Sequence, residues 1–409
     1  MTDGKNLFSN KLKIILHGFF YSSGMGISEP STILPLIINY FTASNVIIGL
    51  FSSLLRGGSI LMQLWAAFTA QAYPRVLKYL RIVFFIRFLA WFSIGLVLFF
   101  FSETHPSLAL WLFGILLFIF SFAAGFGTIY FQELMGKLFS ATDRGKLIAT
   151  RQFFSGLGYI LSGLLAAYVL QHFEAPHSFA YLFLISAFAM GIGYTSVGLL
   201  KETEKKKIQP REQHFSLFFA KMISLLKTNK MLRYQVFARV LAFGFMFVAP
   251  FIILQAKEKF ELTGWIVGSF VSMQMVGAML SDFLWGYLSG KNKNLLVARL
   301  SFVLMILSIA LSSIAKTPWL YTLIFMGMGA ANDGIRLSFQ NLILIVAPEK
   351  QRPVYVAIQN NISAFGLFFS IPGGLLVTYL GFNFTLTVAI FLMLIGFYLT
   401  LRLRIKNQK

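Results

Sequence analysis

YFQELMGKLFSATDRGKLIATRQFFSGLG, residues 130–158, has a degenerate copy 208 positions later, SFQNLILIVAPEKQRPVYVAIQNNISAFG, residues 338–366. In this register Phe131 meets Phe339, Gln132 meets Gln340 and Leu134 meets Leu342. The match continues with Arg144 on Arg352, Ala149 on Ala357, Ser155 on Ser363, Gly158 on Gly366 and Ser162 on Ser370. Single identities are cheap in a biased composition. One register held through an apolar segment, a polar loop and the next apolar segment is a duplication. A shift of 219 adds IIGLFSS (47–53) on IVGSFVS (266–272), pairing Gly49 with Gly268, Phe51 with Phe270 and Ser53 with Ser272.

The composition fixes the setting of that duplication. The 409 residues are 57% hydrophobic and 12% charged, with a mean hydropathy of +0.75. Soluble domains carry about twice that charge, so this chain cannot cover itself with polar surface and belongs in a bilayer. The absence of Cys removes disulfides and thiolate metal sites. The five His show no ligand spacing, and no cofactor or metal is expected.

A span needs about 20 mostly apolar residues. Twelve fit, at 14–40, 45–70, 81–101, 108–136, 147–170, 178–200, 231–256, 262–288, 294–315, 318–346, 354–379 and 383–403. Polar or Pro-containing breaks such as SETHPS (102–107) and APEKQRP (347–353) separate them. The first apolar stretch is too long for a signal-peptide core and lacks an A-x-A-like site, so it reads as a retained span.

The net charge of +21 invites a nucleic-acid reading, which the placement of the bases removes. With the N-terminus inside, 27 of the 35 Lys and Arg fall in cytoplasmic segments or at the cytoplasmic ends of spans. Lys257, Lys259 and Lys316 lie outside, and Arg56, Arg87, Arg151, Arg239 and Arg336 lie within spans. That is the positive-inside asymmetry. It puts both termini in the cytoplasm. The expected organisation is a six-span bundle over 1–200, a cytoplasmic linker over 201–230 and a second bundle over 231–409. In the linker, Phe215, Phe218, Phe219, Met222, Ile223 and Leu226 share one face of an interfacial helix.

Two six-span halves in parallel repeat, joined by a long cytoplasmic loop, resemble the major facilitator superfamily of transporters. The resemblance covers the whole chain. DRGKLIATRQFFSGLG (143–158) and QRPVYVAIQNNISAFG (351–366) are similar to that family's loops after spans four and ten. GYLSGK (286–291) is similar to its G-x-L-x-D-R/K loop motif, although Gly290 stands at the acid position and Ala70 takes that place in AAFTAQAYPR (66–75). The gating latch that the motif's acid implies is therefore not carried over. Span five, SGLGYILSGLLAAYV (155–169), lacks the Pro of the family's drug-antiporter element. The resemblance implies an all-α fold of twelve helices in two bundles, with solute bound near the midplane between the halves by spans one, four, seven and ten. Spans two, five, eight and eleven flank that cavity.

Charges inside a bilayer cost about 2.5–3.5 kcal/mol each on insertion scales and usually have partners. Arg87, Glu133, Arg151, Arg239 and Asp282 lie within two or three turns of a cytoplasmic end, where a structural role or snorkelling suffices. Glu133, Arg151, Asp282, Arg144 and Arg352 are read as structural or gating charges, with Glu133 and Arg151 at matching depth for an ion pair. Glu29, Arg56, Asp333 and Arg336 lie deeper and are assigned to substrate binding or coupling, with Asn332 beside them. Asp333 and Arg336, at i,i+3, either balance each other or serve a cargo. Their counterparts in the first half are Gly125 and Thr128, so the scaffold does not demand charge there. Glu29 precedes Pro30 in SGMGISEPSTILP (23–35), where Pro kinks the span and Gly24 and Gly26 permit close helix approach. Asn360, Asn361, Gln152, Gln274 and Trp265 are softer contacts.

No G-x-x-x-x-G-K-[ST] occurs, so direct drive by ATP is excluded. The function expected is secondary active transport of a small polar solute across the cytoplasmic (inner) membrane, with protons moving alongside or against it and the chain acting as a monomer in lipid. The alternatives are export of drugs or lipid-like solutes on the same fold and, more remotely, a membrane enzyme, for which no acid/base or ligand cluster is visible.

Overall fold

The structure, a computed structural model, describes residues 2–60, 62, 63, 65, 66, 75–202, 223–348 and 351–403. These are helices and short connections with no strand among the described residues. Ala70 and the first part of the expected interfacial helix, 215–222, lie outside them.

Eight helical stretches among the described residues are long and apolar enough to cross a membrane. One of them, Val354–Arg402, holds spans eleven and twelve, because Gly381 interrupts it at φ 82 and ψ 168. Only glycine occupies that region routinely. Span one is divided into Thr2–Gly26 and Ile33–Phe41, span two opens with Asn45–Gly57, and span ten is the 29-residue helix Pro318–Val346. Among the described residues, helices thus fall at each of the twelve places where the sequence predicts a span. Spans three to five and nine appear as Leu77–Phe101, Pro106–Leu138, Ala141–His172 and Asn294–Ile314. Span six is His177–Gly198 and span eight is Gly264–Gly290.

Span one breaks where its sequence says it should. Pro30 has no N–H, and its ring would strike a carbonyl one turn earlier. The chain passes this point on i→i−3 bonds, Glu29 N–H to Gly26 O at 3.3 Å and Thr32 N–H to Glu29 O at 3.1 Å. Span seven repeats the device. Lys230–Ala242 gives way to a tight turn at Phe243–Phe247 before Ala249–Lys259 resumes, with Pro250 just past the break. Pro30 and Pro250 are 220 positions apart, one residue off the 219 register, so both copies break at nearly the same place.

The chain forms two compact units. The first holds Met1–Ala43, Leu54–Glu212 and Leu262–Ser272, and the second holds Ser44–Ser53, Gln213–Glu261 and Met273–Lys409. Each therefore includes one segment from the other sequence half. Repeat-related glycines make the approaches inside each unit. A Cβ on Gly158 would stand 2.4 Å from the Phe19 carbonyl oxygen of span one, and one on Gly366 would stand 2.6 Å from Phe243 Cβ of span seven. In the borrowed segments, Gly268 meets the Gly163 carbonyl and Gly49 meets that of Ser370. Small residues are what let backbones approach in lipid.

In the first unit, buried Trp91 packs on Phe120 and Phe183 at centroid distances of 4.2 and 4.9 Å. Its indole N–H donates to Ser186 Oγ at 2.7 Å, which in turn donates to the Gly24 carbonyl. Spans one, three and six are thereby joined. Span three also gains a cap from a distance: Glu202 accepts from Val76 N–H at 3.0 Å and Leu77 N–H at 2.7 Å, and pairs with Lys137 at 2.5 Å. A carboxylate at a helix N-terminus meets unpaired amides and the positive end of the dipole. In the second unit, Leu232, Val236, Ile343, Ala347, Tyr355 and Ile358 form a buried cluster. Gln235 and Gln359 bond to each other inside this unit.

Candidate functional site

Two buried charge clusters stand out, one in each unit. The first is built on the break in span one. Because residues 27–32 leave the helix, the Glu29 side chain is free to turn toward its neighbours rather than follow a helical face. Arg56 Nη2 donates to Glu29 Oε1 at 2.5 Å. Ser31 adds its hydroxyl at 2.7 Å and its backbone N–H at 3.3 Å to the same oxygen. Tyr159 of span five donates its hydroxyl to Oε2. Glu29 is 7% exposed, and Arg56, Ser31 and Tyr159 all act as donors to its carboxyl. Glu29 and Arg56, both placed deep in their spans by the sequence, are thus in direct contact. Tyr159 and Ser31 are absent from the sequence reading. The signal for Tyr159 is its place directly after Gly158, the residue at which span five comes closest to span one. Gly24 and Gly26 also sit at crossings, against Ser186 and Ser162.

The second cluster joins spans eight and ten. Asp333 is 8% exposed, and its Oδ1 accepts from Arg336 Nε at 3.1 Å and from Arg336 Nη2. The i,i+3 pair that the spacing allows therefore exists. It has a third member. Asp282 stands close enough to Asp333 for the two carboxyls to interact. Asp333 Oδ2 is buried and has no hydrogen-bond partner. Two carboxyls so placed repel unless one of them carries a proton. Trp285, one turn from Asp282, fixes the crossing by donating to the Ala330 carbonyl at 3.0 Å. Arg239 of span seven completes the charged surroundings, close enough to Arg336 for the two cations to interact. It lies over the rings of Phe243 at 4.7 Å and Phe339 at 5.7 Å.

The remaining residues fall elsewhere. Asn332 is exposed on the flank of span ten. Arg151 turns to His17, its Nη2 lying 3.2 Å from Nδ1, and stands over the Phe131 ring at 5.3 Å. Phe131 and its repeat partner Phe339 thus each carry a guanidinium, although the arginines come from different helices. Arg144 lines a cavity in the first unit. Arg352 is exposed at the start of Arg352–Ser363, and Glu133 is half-buried near the end of span four. Among the described residues no group of three or more His, Cys, Asp or Glu could hold a metal ion.

The sequence matches the model of the Major Facilitator Superfamily over residues 14–371. No curated protein matches it. Among solved structures, the chain is similar to a D-xylose-proton symporter at a TM-score of 0.75 and 16% identity, covering 98% of this chain and 99% of that one. It is similar to the nucleoside transporter NupG at a TM-score of 0.71 and 16% identity, covering 98% and 100%. A bacterial homologue of the iron transporter ferroportin, in an inward-facing state, follows at 0.71 and 12%, covering 96% and 98%. At these identities the likeness establishes the fold alone. With the family model matching most of its length, the chain is a multi-pass membrane protein that belongs to the Major Facilitator Superfamily.

Proposed function

We propose that this protein is a secondary active transporter that carries a small polar solute across the cytoplasmic membrane, driven by protons, through alternating access of two six-span bundles at 1–200 and 231–409. Both termini are cytoplasmic on this reading, as the distribution of Lys and Arg requires. The observation that carries it is the unpartnered, buried Oδ2 of Asp333, on a carboxyl paired with Arg336 and close enough to Asp282 for the two acids to interact. A carboxyl pair that shares one proton next to a cation can take up or release that proton as its surroundings change. A purely structural ion pair has no need of the second acid. The Glu29–Arg56–Tyr159 cluster supplies the complementary element, a carboxyl and a guanidinium that can bind the polar groups of a solute. The proton symporter and the nucleoside transporter among the similar folds agree with a polar cargo.

The test is uptake into proteoliposomes by purified protein, over a panel of sugars, nucleosides, amino acids and organic acids, with and without an imposed proton gradient. At least one solute is expected to accumulate only with the gradient. A panel that shows neither accumulation nor exchange under any gradient sinks the proposal. Gradient-driven movement of lipophilic cations alone selects the drug-exporter alternative.

A further inference from the structure

Apart from both clusters, the first unit encloses a cavity of about 540 Å³ between spans one, three, four and five. Its charged and titratable lining is His17, Arg87, Arg144 and Arg151, together with Tyr21 and without a single Asp or Glu. Buried cations normally have acidic partners. Here the guanidinium of Arg87, 6% exposed, rests instead over the rings of Phe120 at 4.3 Å and Tyr21 at 5.3 Å, and it donates to Tyr21 Oη at 3.0 Å. Its Nε is buried and has no acceptor. The same is true of Arg151 Nε.

His17 adds a third donor. Its Nδ1 faces Arg151 Nη2, which has only protons to offer, so Nδ1 accepts and the ring's own proton sits on Nε2. That Nε2 is buried and has no partner either. Three residues of spans one, three and five, each with a buried donor left unpaired, thus line one cavity whose lining supplies no acid. Phe131 and the exposed Ile148 contribute apolar wall. Buried donors are rarely left unmade, and arginine forks match the paired oxygens of carboxylate and phosphate.

We infer that this cavity is a binding site for an organic oxyanion, a carboxylate or phosphate on a small apolar body, held by Arg87, Arg151 and His17. The volume is that of a small-molecule site. The site is separate from the Glu29 and Asp333 clusters, and its occupancy is measured by binding, so it stands or falls apart from the transport reading.

The probe is benzoate, with neutral benzamide as its uncharged match, titrated calorimetrically onto the full chain in phosphatidylcholine nanodiscs. Benzoate is expected to bind and benzamide not to. Arg151→Gln weakens benzoate about tenfold or more, the loss expected for one charge-assisted bond, and Arg151→Lys restores part of it. Ile148→Glu, at an exposed position on the cavity wall, offers a carboxylate of its own and abolishes benzoate binding while leaving the unfolding temperature in place. Nanodiscs containing phosphatidylglycerol separate the sources of the oxyanion: competition with benzoate identifies a lipid phosphate as the occupant, and its absence identifies a soluble acid. Equal binding of benzoate and benzamide, no binding of benzoate, or indifference to both Arg151→Gln and Ile148→Glu overturns the assignment.

Discussion

Tyr159 and Arg56 hold opposite oxygens of one carboxyl: the phenol donates to Glu29 Oε2 and the guanidinium to Oε1. Span one is thereby tied at its break to spans two and five. Arg56→Met removes the counter-charge and leaves a buried carboxylate, at a cost of about 3–5 kcal/mol. The unfolding temperature in detergent should fall accordingly, and Glu29→Gln combined with Arg56→Met should recover most of the loss. A double variant as unstable as the single one shows that Arg56 acts through packing alone.

In the second unit the proposed sharing of a proton gives both acids a part in coupling. Asp333→Asn and Asp282→Asn should each abolish proton-driven accumulation while solute exchange across the membrane persists. The measurement is paired uptake and exchange in proteoliposomes at matched expression. If Asp282→Asn accumulates solute as the parent does, Asp282 has no share in the proton.

Arg336 separates pairing from cargo binding. If it only balances Asp333, Arg336→Ala leaves an acid unpaired, costing about 3 kcal/mol or more, and Asp333→Asn in the same chain restores both stability and exchange. If Arg336 contacts solute, the double variant regains stability but exchange stays lost. Thermal unfolding and exchange rates read together decide between these outcomes.

Glu202 caps span three from outside it, with two amide bonds and the Lys137 pair. Its side chain is 2% exposed, so solvent does not screen the contact. Glu202→Ala is expected to lower stability by about 1–3 kcal/mol, read as a drop in unfolding temperature. Lys137→Ala removes only the third partner and should cost less. Equal losses would place the stabilisation in the ion pair rather than in the cap.

Much of this was legible in the residues. Spans announce themselves by length and hydropathy, and the 208 and 219 shifts reveal the duplication because packing glycines such as Gly158 and Gly366 must be kept in both copies. Depth along a helix is also readable, which is how Glu29 and Arg56 were both singled out. Rotation about the helix axis is not. Asp282 and Asp333 differ in distance from their span ends, and nothing in either span says that the two faces meet; Trp285 and the Ala330 carbonyl set that angle. His17 escaped notice for a related reason: a lone histidine in an apolar helix carries no pattern until Arg151 is seen beside it. The break before Pro250 was hidden because APF reads as uninterrupted hydropathy.

The breaks before Pro30 and Pro250 carry a consequence of their own. They occur at matching places in both copies, whereas the charges beside them do not: Glu29 stands next to the first, and Val248, Ala249 and Phe251 surround the second. The bend is thus a property of the repeated unit, whereas the buried carboxyl beside it is a property of the first half alone.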